Sequence, residues 1–147
     1  MDAIALTDLP KHVGHEAVSD WVQITQERVN QFADATGDHQ WIHVDVERAT
    51  REFGGTIAHG YLTLSLIPML QTGLMPVKGS TRGINYGSDK VRFVNMVRVG
   101  KRVRLRYKLL GVEPRAGGLQ LRQECTIEIE GEDKPACVAE TLSLLYA

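Results

Sequence analysis

Asp38 and His43 are the residues whose types and spacing point most directly to chemistry. They stand five positions apart in Gly37-Asp38-His39-Gln40-Trp41-Ile42-His43, a stretch that straddles the exit of a helical pattern and does not lie on one helical face. An irregular loop there folds a carboxylate and an imidazole toward a common point. Their ordinary pKa values, about 4 and about 6.5, differ enough for the two groups to share one water as acid and base. A second candidate segment, Thr56-Ile57-Ala58-His59-Gly60, leads directly into an apolar run. The unpaired N–H groups of a helix start carry partial positive charge and suit an oxygen that gains negative charge during a reaction. Gly60 admits a close approach to that backbone. His59 beside it has two readings, a group that assists at a carbonyl and a structural hydrogen-bonding partner.

Other site types find little support. His39 and His43 have a spacing that on one helix would suit a metal, but Gly37 interrupts the helix before them and no third ligand stands out, so no metal is expected. Gly54-Gly55 lacks the GxGxxG pattern and follows a short helix instead of a strand, which makes it a turn and not a dinucleotide site. Cys125 and Cys137 fall outside any CxxC spacing and read as buried thiols of a reducing compartment.

With 147 residues, 43% hydrophobic and 24% charged, the chain has the composition of one ordinary folded domain over 1–147. A formal net charge of −1, with Lys and Arg scattered along the chain, argues against a nucleic-acid partner. Met1–His12 has no basic segment followed by a long apolar one, and Tyr61–Leu70 is too short to span a bilayer. A cytoplasmic location with no membrane partner is the expectation.

The elements that must position the candidate residues are visible in the periodicity. Thr25 stands as an N-cap before a helix over about Gln26–Ala35, with Gly37 as its stop, and Gly37–Ile42 reads as irregular. Asp45 caps a short helix over Val46–Glu52. From Ala58 to Leu70 the chain is apolar on nearly every side, which predicts one long helix buried all round. The period then changes to two. Val103, Leu105, Tyr107 and Leu109 alternate with Arg and Lys, and Leu119 to Ile129 alternates with a mainly acidic row. These two segments predict an antiparallel hairpin with a loop from Gly111 to Gly118 and cross-strand charge pairs on its wet face. A last strand covers about Ala136–Tyr146, and shorter extended pieces lie near Gly83–Tyr86 and Val91–Val94. An antiparallel sheet curled around a buried helix is the economical packing, an α+β hot-dog fold.

The segment resembles the MaoC-like dehydratases, which include the (R)-specific enoyl-CoA hydratases and the relatives of nodulation protein N. Their motif, T/S-G-D-x-N-P-(apolar)-H-x5-A, is matched by Thr36-Gly37-Asp38-His39-Gln40-Trp41-Ile42-His43 with Ala49 at its close, and Ala58-His59-Gly60 is a second matching element. Gln40 and Trp41 replace the usual Asn and Pro, and Pro68 stands where some members carry a Ser. The resemblance implies Asp38 and His43 as the catalytic pair, Gly60 with His59 at the substrate carbonyl, and reversible hydration of a trans-2-enoyl thioester to the (R)-3-hydroxy product. It implies no cofactor apart from the coenzyme A or acyl carrier protein borne by the substrate. Lys78, Arg82, Lys90 and Arg92 flank a Gly-rich stretch where a carrier phosphate would find cations, although ordinary surface positions explain them as well. Two rival readings share the scaffold. One is an acyl-binding protein without turnover, raised by Gln40 and Trp41. The other is a thioesterase, disfavoured because Tyr61–Gln71 contains no Asp or Glu where hot-dog thioesterases place a carboxylate. A sheet this small leaves an edge open, so at least a homodimer is expected.

Overall fold

The computed structural model describes residues 1–147. Its main sheet is antiparallel and built from β2 (Glu16–Val18), β3 (Val22–Gln23), β5 (Arg82–Phe93), β6 (Arg102–Arg115), β7 (Gly118–Ile129) and β8 (Cys137–Tyr146). The order across it is β2-β6-β7-β8-β5, with β3 also pairing β6. A parallel pair of β1 (Ile4–Ala5) and β4 (Val77–Lys78) ties the N-terminus to the segment after the central helix. Five helices complete the chain: α1 (Gln26–Thr36), α2 (Trp41–Val44), α3 (Val46–Phe53), α4 (Gly60–Ser65) and α5 (Ile67–Gln71). The architecture is the hot-dog fold.

The period-two reading holds along β6 from Val103 to Leu109 and along β7 from Leu121 to Ile129, and fails at Gln120, which is buried beside a half-buried Leu119. Val103, Leu105, Tyr107, Leu109, Cys125 and Ile127 are fully buried, and removing that apolar area from water is the main drive for the sheet to close on the helix. The opposite face carries Arg102–Glu130, Arg104–Glu128 at 3.3 Å and Arg106–Glu128 at 2.7 Å. The loop between the two strands is shorter than its composition indicates. Both strands run up to a two-residue turn at Ala116-Gly117, with φ of 49° and 81°, the positive-φ geometry whose twist matches a hairpin. Gly111 lies inside β6, next to a shift in register after Leu109. Gln123 is the exception on the inward row, a buried polar side chain among apolar ones.

Three expectations are corrected. The single long helix from Ala58 is two short ones, α4 and α5, meeting at Leu66. Pro68 has no N–H to continue the ladder and its ring clashes with the carbonyl one turn back, while the Ser65 hydroxyl donates to the Tyr61 carbonyl at 2.6 Å, a contact that bends helices. The helix is also not buried all round. Leu62, Leu66, Ile67 and Leu70 face the core, but Tyr61 is 69% and Met69 42% exposed. The two short extended pieces after Gly83 are one strand, β5, with irregularities after Asn85 and Asp89. Each one breaks the alternation by which a strand is recognised. The N-terminal stretch, where periodicity predicts no element, contains β1, a 3-10 turn over Leu6–His12 with Leu9 fully buried, and β2. Their partners lie far along the chain, where local periodicity carries no signal.

β5 forms the edge of the sheet, and Ile84, Tyr86 and Phe93 on it are all exposed. Together with Tyr61, which meets the Phe93 ring edge-on at 5.8 Å, they expose apolar side chains along a strand paired on one side only, with β8. No helix is long and apolar enough to cross a membrane.

Candidate active site

Caps and stops set the backbone of the site. The Thr25 side chain accepts from the Arg28 N–H, and α1 ends where Gly37 turns left-handed (φ 82°) with its N–H on the Ala33 carbonyl. That turn releases the chain into the Asp38 loop, where Asp38 Oδ1 accepts from the Gln40 N–H at 3.3 Å. One helical turn, α2, follows at once and carries His43 inward, although the sequence gives no reason to expect a helix beginning at Trp41. Trp41 occupies the first helical position, where proline is favoured. Its ring meets Phe53 edge-on and lies under the Arg48 guanidinium, 4.1 Å away, so it braces α2 against α3. Asp45 caps α3 as expected, accepting from the Arg48 N–H at 3.0 Å.

His43 is only 6% exposed, and its Nδ1–H donates to the Ile57 carbonyl at 2.7 Å. The Nε2 lone pair of the neutral ring is thereby left as an acceptor. Burial pulls the His43 pKa below its ordinary 6.5. The Ile57 carbonyl opposes that shift, the neighbouring His59 adds to it and the Asp38 charge opposes it. His59, 3% exposed, stacks on His43 with ring centroids 3.8 Å apart and planes 23° off parallel. The His59 Nε2–H donates to the Asp38 carbonyl at 3.0 Å. Nitrogen atoms of both rings and a carboxylate oxygen of Asp38 lie within 4.8 Å of one another. Two residues that sequence reasoning passed over hold this arrangement from behind. The Gln26 amide donates to the His43 carbonyl at 2.8 Å, and its oxygen accepts the Thr56 hydroxyl at 2.6 Å. Their signal was the position of Gln26 at the first turn of α1, which by itself reads as ordinary helix surface.

A cavity of about 260 Å³ adjoins the pair and is lined by His43, Gly60, Thr63, Phe93 and the Val94–Val97 stretch. Asp38 is exposed and does not line its enclosed part, and neither does His59. The fold therefore brings Asp38, His43 and His59 together and places Gly60 across the cavity from His43. His59 contacts the Asp38 carbonyl through Nε2 and the His43 and Phe32 rings through its faces, and its Nδ1 is buried without a hydrogen-bond partner. The Gly60 Cα faces the Phe93 ring so closely that a Cβ there would stand 3.1 Å from it. His39 points elsewhere, paired with Asp34 at 2.9 Å on the surface. None of Lys78, Arg82, Lys90 and Arg92 lines the cavity; Lys90 pairs with Glu140 and Arg82 lies over the Tyr146 ring.

The sequence profile of the MaoC like domain matches residues 9–127. The chain belongs to the MaoC-like domain family. Among its relatives, this MaoC-like chain is 55% identical over 141 residues to the 3-hydroxyacyl-thioester dehydratase Z of Mycobacterium tuberculosis, spanning 94% of this chain and 93% of that one. It is 45% identical over 150 residues to nodulation protein N of Rhizobium leguminosarum bv. viciae, covering 99% and 93% of the two. The (R)-hydratase from A. caviae superimposes with a TM-score of 0.71 at 26% identity, over 89% of this chain and 94% of that one. The unliganded R-hydratase PhaJ1 from Pseudomonas aeruginosa shares the fold with a TM-score of 0.74, over 91% and 81% of the chains at 24% identity.

Proposed function

We propose that this MaoC-like protein catalyses the reversible hydration of trans-2-enoyl thioesters, with Asp38 and His43 as the acid–base pair. The observation that carries the reading is the approach of the Asp38 carboxylate and the His43 ring to within 4.8 Å, beside a cavity that also reaches Gly60. A water between them donates one hydrogen bond to the carboxylate and one to His43 Nε2. Its oxygen bonds to the β-carbon, the π pair moves toward the thioester carbonyl, and the proton released to the pair is delivered to the α-carbon. The developing oxyanion is met by N–H groups opening α4, Gly60 first. The product has the (R)-3-hydroxy configuration. The 55% identical relative is named for the reverse reaction on a 3-hydroxyacyl thioester, which uses the same groups.

The thioester itself supplies the electron sink, so no metal is required. The three clustered side chains leave few free donors for an ion: His43 Nδ1 and His59 Nε2 are engaged by carbonyls, and the two rings are stacked with planes 23° off parallel. Incubation with crotonyl-CoA tests the reading. The enoyl absorbance should disappear without release of free thiol, and EDTA should leave the rate unchanged. Thiol release would indicate a thioesterase, no change with any chain length a binding protein, and inhibition by EDTA reversed by zinc a metal site.

The substrate carrier is coenzyme A or an acyl carrier protein, and the active form is a homodimer joined along β5. Covering Ile84, Tyr86 and Phe93 removes an apolar edge from water and pairs its free N–H and C=O groups. Sedimentation at micromolar concentration should show a dimer that Ile84→Lys converts to monomer; a monomeric parent chain would refute this assembly.

A further inference from the structure

The largest hollow in the molecule is not the one beside His43. It is a cavity of about 730 Å³ in the single chain, between α4–α5 on one side and β5 and β8 on the other, lined in part by Ile84 and Tyr86 of the β5 edge, so that the partner proposed above would close its outer side. Leu64, Ile67 and Gln71 line it at helical spacing, continuing the face that presents Gly60 and Thr63 to the smaller cavity. Gln71 ends α5, on the far side of the break at Leu66 from Gly60, which opens α4. A chain leaving the thioester at Gly60 and following this face would reach it.

The far wall of this cavity is polar where an alkyl tail would need it apolar. The Gln71 amide donates to Gln123 Oε1, and the Gln123 amide donates to the Ser143 hydroxyl. Gln123 is 2% exposed and sits on the inward row of β7, so its two hydrogen bonds are what make its burial tolerable. The neighbours extend the patch. Asn85 pairs with Ser143 and Ser88 with Thr141, and Thr141 in turn pairs with Gln123; directly paired residues share a face of the sheet. The chain of hydrogen bonds is complete at Gln123 and open at its ends. The Ser143 hydroxyl has used one of its two acceptor lone pairs and retains its proton, and Gln71 retains its carbonyl oxygen. Both residues line the cavity. A plain alkyl tail would cover that donor and that acceptor without replacing the water they use, whereas a tail hydroxyl can accept from Ser143 or donate to Gln71.

We infer that the cavity behind α4 is a tail-recognition site for enoyl thioesters whose acyl chain carries a hydroxyl or comparable hydrogen-bonding group, read by Gln71, Gln123 and Ser143. The inference rests on the enoyl-thioester reading above and adds the class of substrate.

The test is a homologous series of medium-chain trans-2-enoyl-CoAs, each compared with its ω-hydroxy counterpart on the same enzyme, with crotonyl-CoA as a substrate too short to reach the cavity. At the length that spans the two cavities, kcat/KM should favour the hydroxylated chain by roughly tenfold, the worth of about one net hydrogen bond. The combined variant Gln71→Leu, Gln123→Leu, Ser143→Ala removes all three partners together and strands none of them, and it should reverse the preference in favour of the plain chain. Ser143→Ala alone removes the open donor together with the acceptor of the Gln123 amide, a loss common to both substrates, and should bring the ratio close to one, which keeps the test decisive if the combined variant does not fold. A merely structural role for these side chains would lower both substrates together and leave the ratio unmoved. Turnover of crotonyl-CoA with equal or better use of plain chains throughout the series would overturn the tail site alone. Failure to consume any enoyl-CoA, crotonyl-CoA included, would overturn the hydratase reading and the tail site with it.

Discussion

Replacing Asp38 by Asn, or His43 by Gln, should lower kcat for enoyl thioester hydration by about two orders of magnitude or more while leaving the fold intact. The asparagine keeps the volume and one hydrogen-bonding oxygen of Asp38, including the acceptor used by the Gln40 N–H, but it takes up no proton. The glutamine reaches toward the Ile57 carbonyl now occupied by His43 Nδ1, and it offers no titrating nitrogen to the water. Asp38 is exposed, so its replacement strands no buried charge. Steady-state kinetics beside a thermal unfolding curve checks both halves of the expectation. A variant that keeps near-normal turnover removes its residue from the mechanism. A variant that unfolds shows that the side chain was structural.

The second large effect is on the acid limb of the pH profile. The proposed mechanism needs His43 neutral, with Nε2 free to accept from water. Because burial holds its pKa below the ordinary 6.5, the neutral form persists at pH values where a surface histidine is already charged. The midpoint of the acid limb in kcat/KM is therefore expected below pH 6.5, with the rate falling about tenfold per unit beneath it. The same shift has a sign for stability. An unfolded His43 takes up its proton near 6.5 and the folded one only at lower pH, so the stabilisation is fully present above 6.5 and is lost as pH falls through the folded value. His39 behaves oppositely: its hydrogen bond to Asp34 raises its pKa, and the stability from that pair fades as pH rises through the raised value. That pair lies on the surface and its contribution is small. A pH series of kcat/KM measured with crotonyl-CoA locates the limb. A midpoint above 6.5 would place the essential base somewhere other than the buried ring.

What could be read from the chain itself divides along a physical line. Signals that act within a few residues were legible: Thr25 and Asp45 as caps, Gly37 as a left-handed stop, and the alternation that sends Tyr107 and Ile127 inward and Arg106 and Glu128 outward. The Asp38 and His43 pair was legible for the same reason, since a stop glycine fixes where the loop begins. Features made by distant partners were not. Phe93 closes over Gly60 from a strand whose irregularities hide its period. Gln26 supports His43 across a turn that no spacing rule connects. His59 reaches the Asp38 carbonyl only because the chain doubles back beneath α2. Pro68 is a local signal of another kind: it lacks an N–H and its ring crowds the preceding turn, so the helix ends and restarts at Leu66.

The division of labour between the two histidines follows from the same geometry. His43 keeps an acceptor nitrogen toward the pair, while His59 spends its Nε2–H on the loop that carries Asp38 and lends its face to the stack with His43 and to the Phe32 ring, 4.9 Å away. The carboxylate and the imidazole are thus held in register through buried groups, although one of the two stands in solvent.

The claim on which the account depends is that one water, gripped by both side chains, supplies both the hydroxyl and the proton. Hydration of crotonyl-CoA in D2O, followed by NMR assignment of the 3-hydroxybutyryl product, tests it most directly. Delivery from a single gripped molecule predicts that deuterium and hydroxyl enter on the same face of the double bond, with the R configuration at the hydroxyl carbon. Addition to opposite faces would contradict it, because no single water between Asp38 and His43 reaches both sides of the plane.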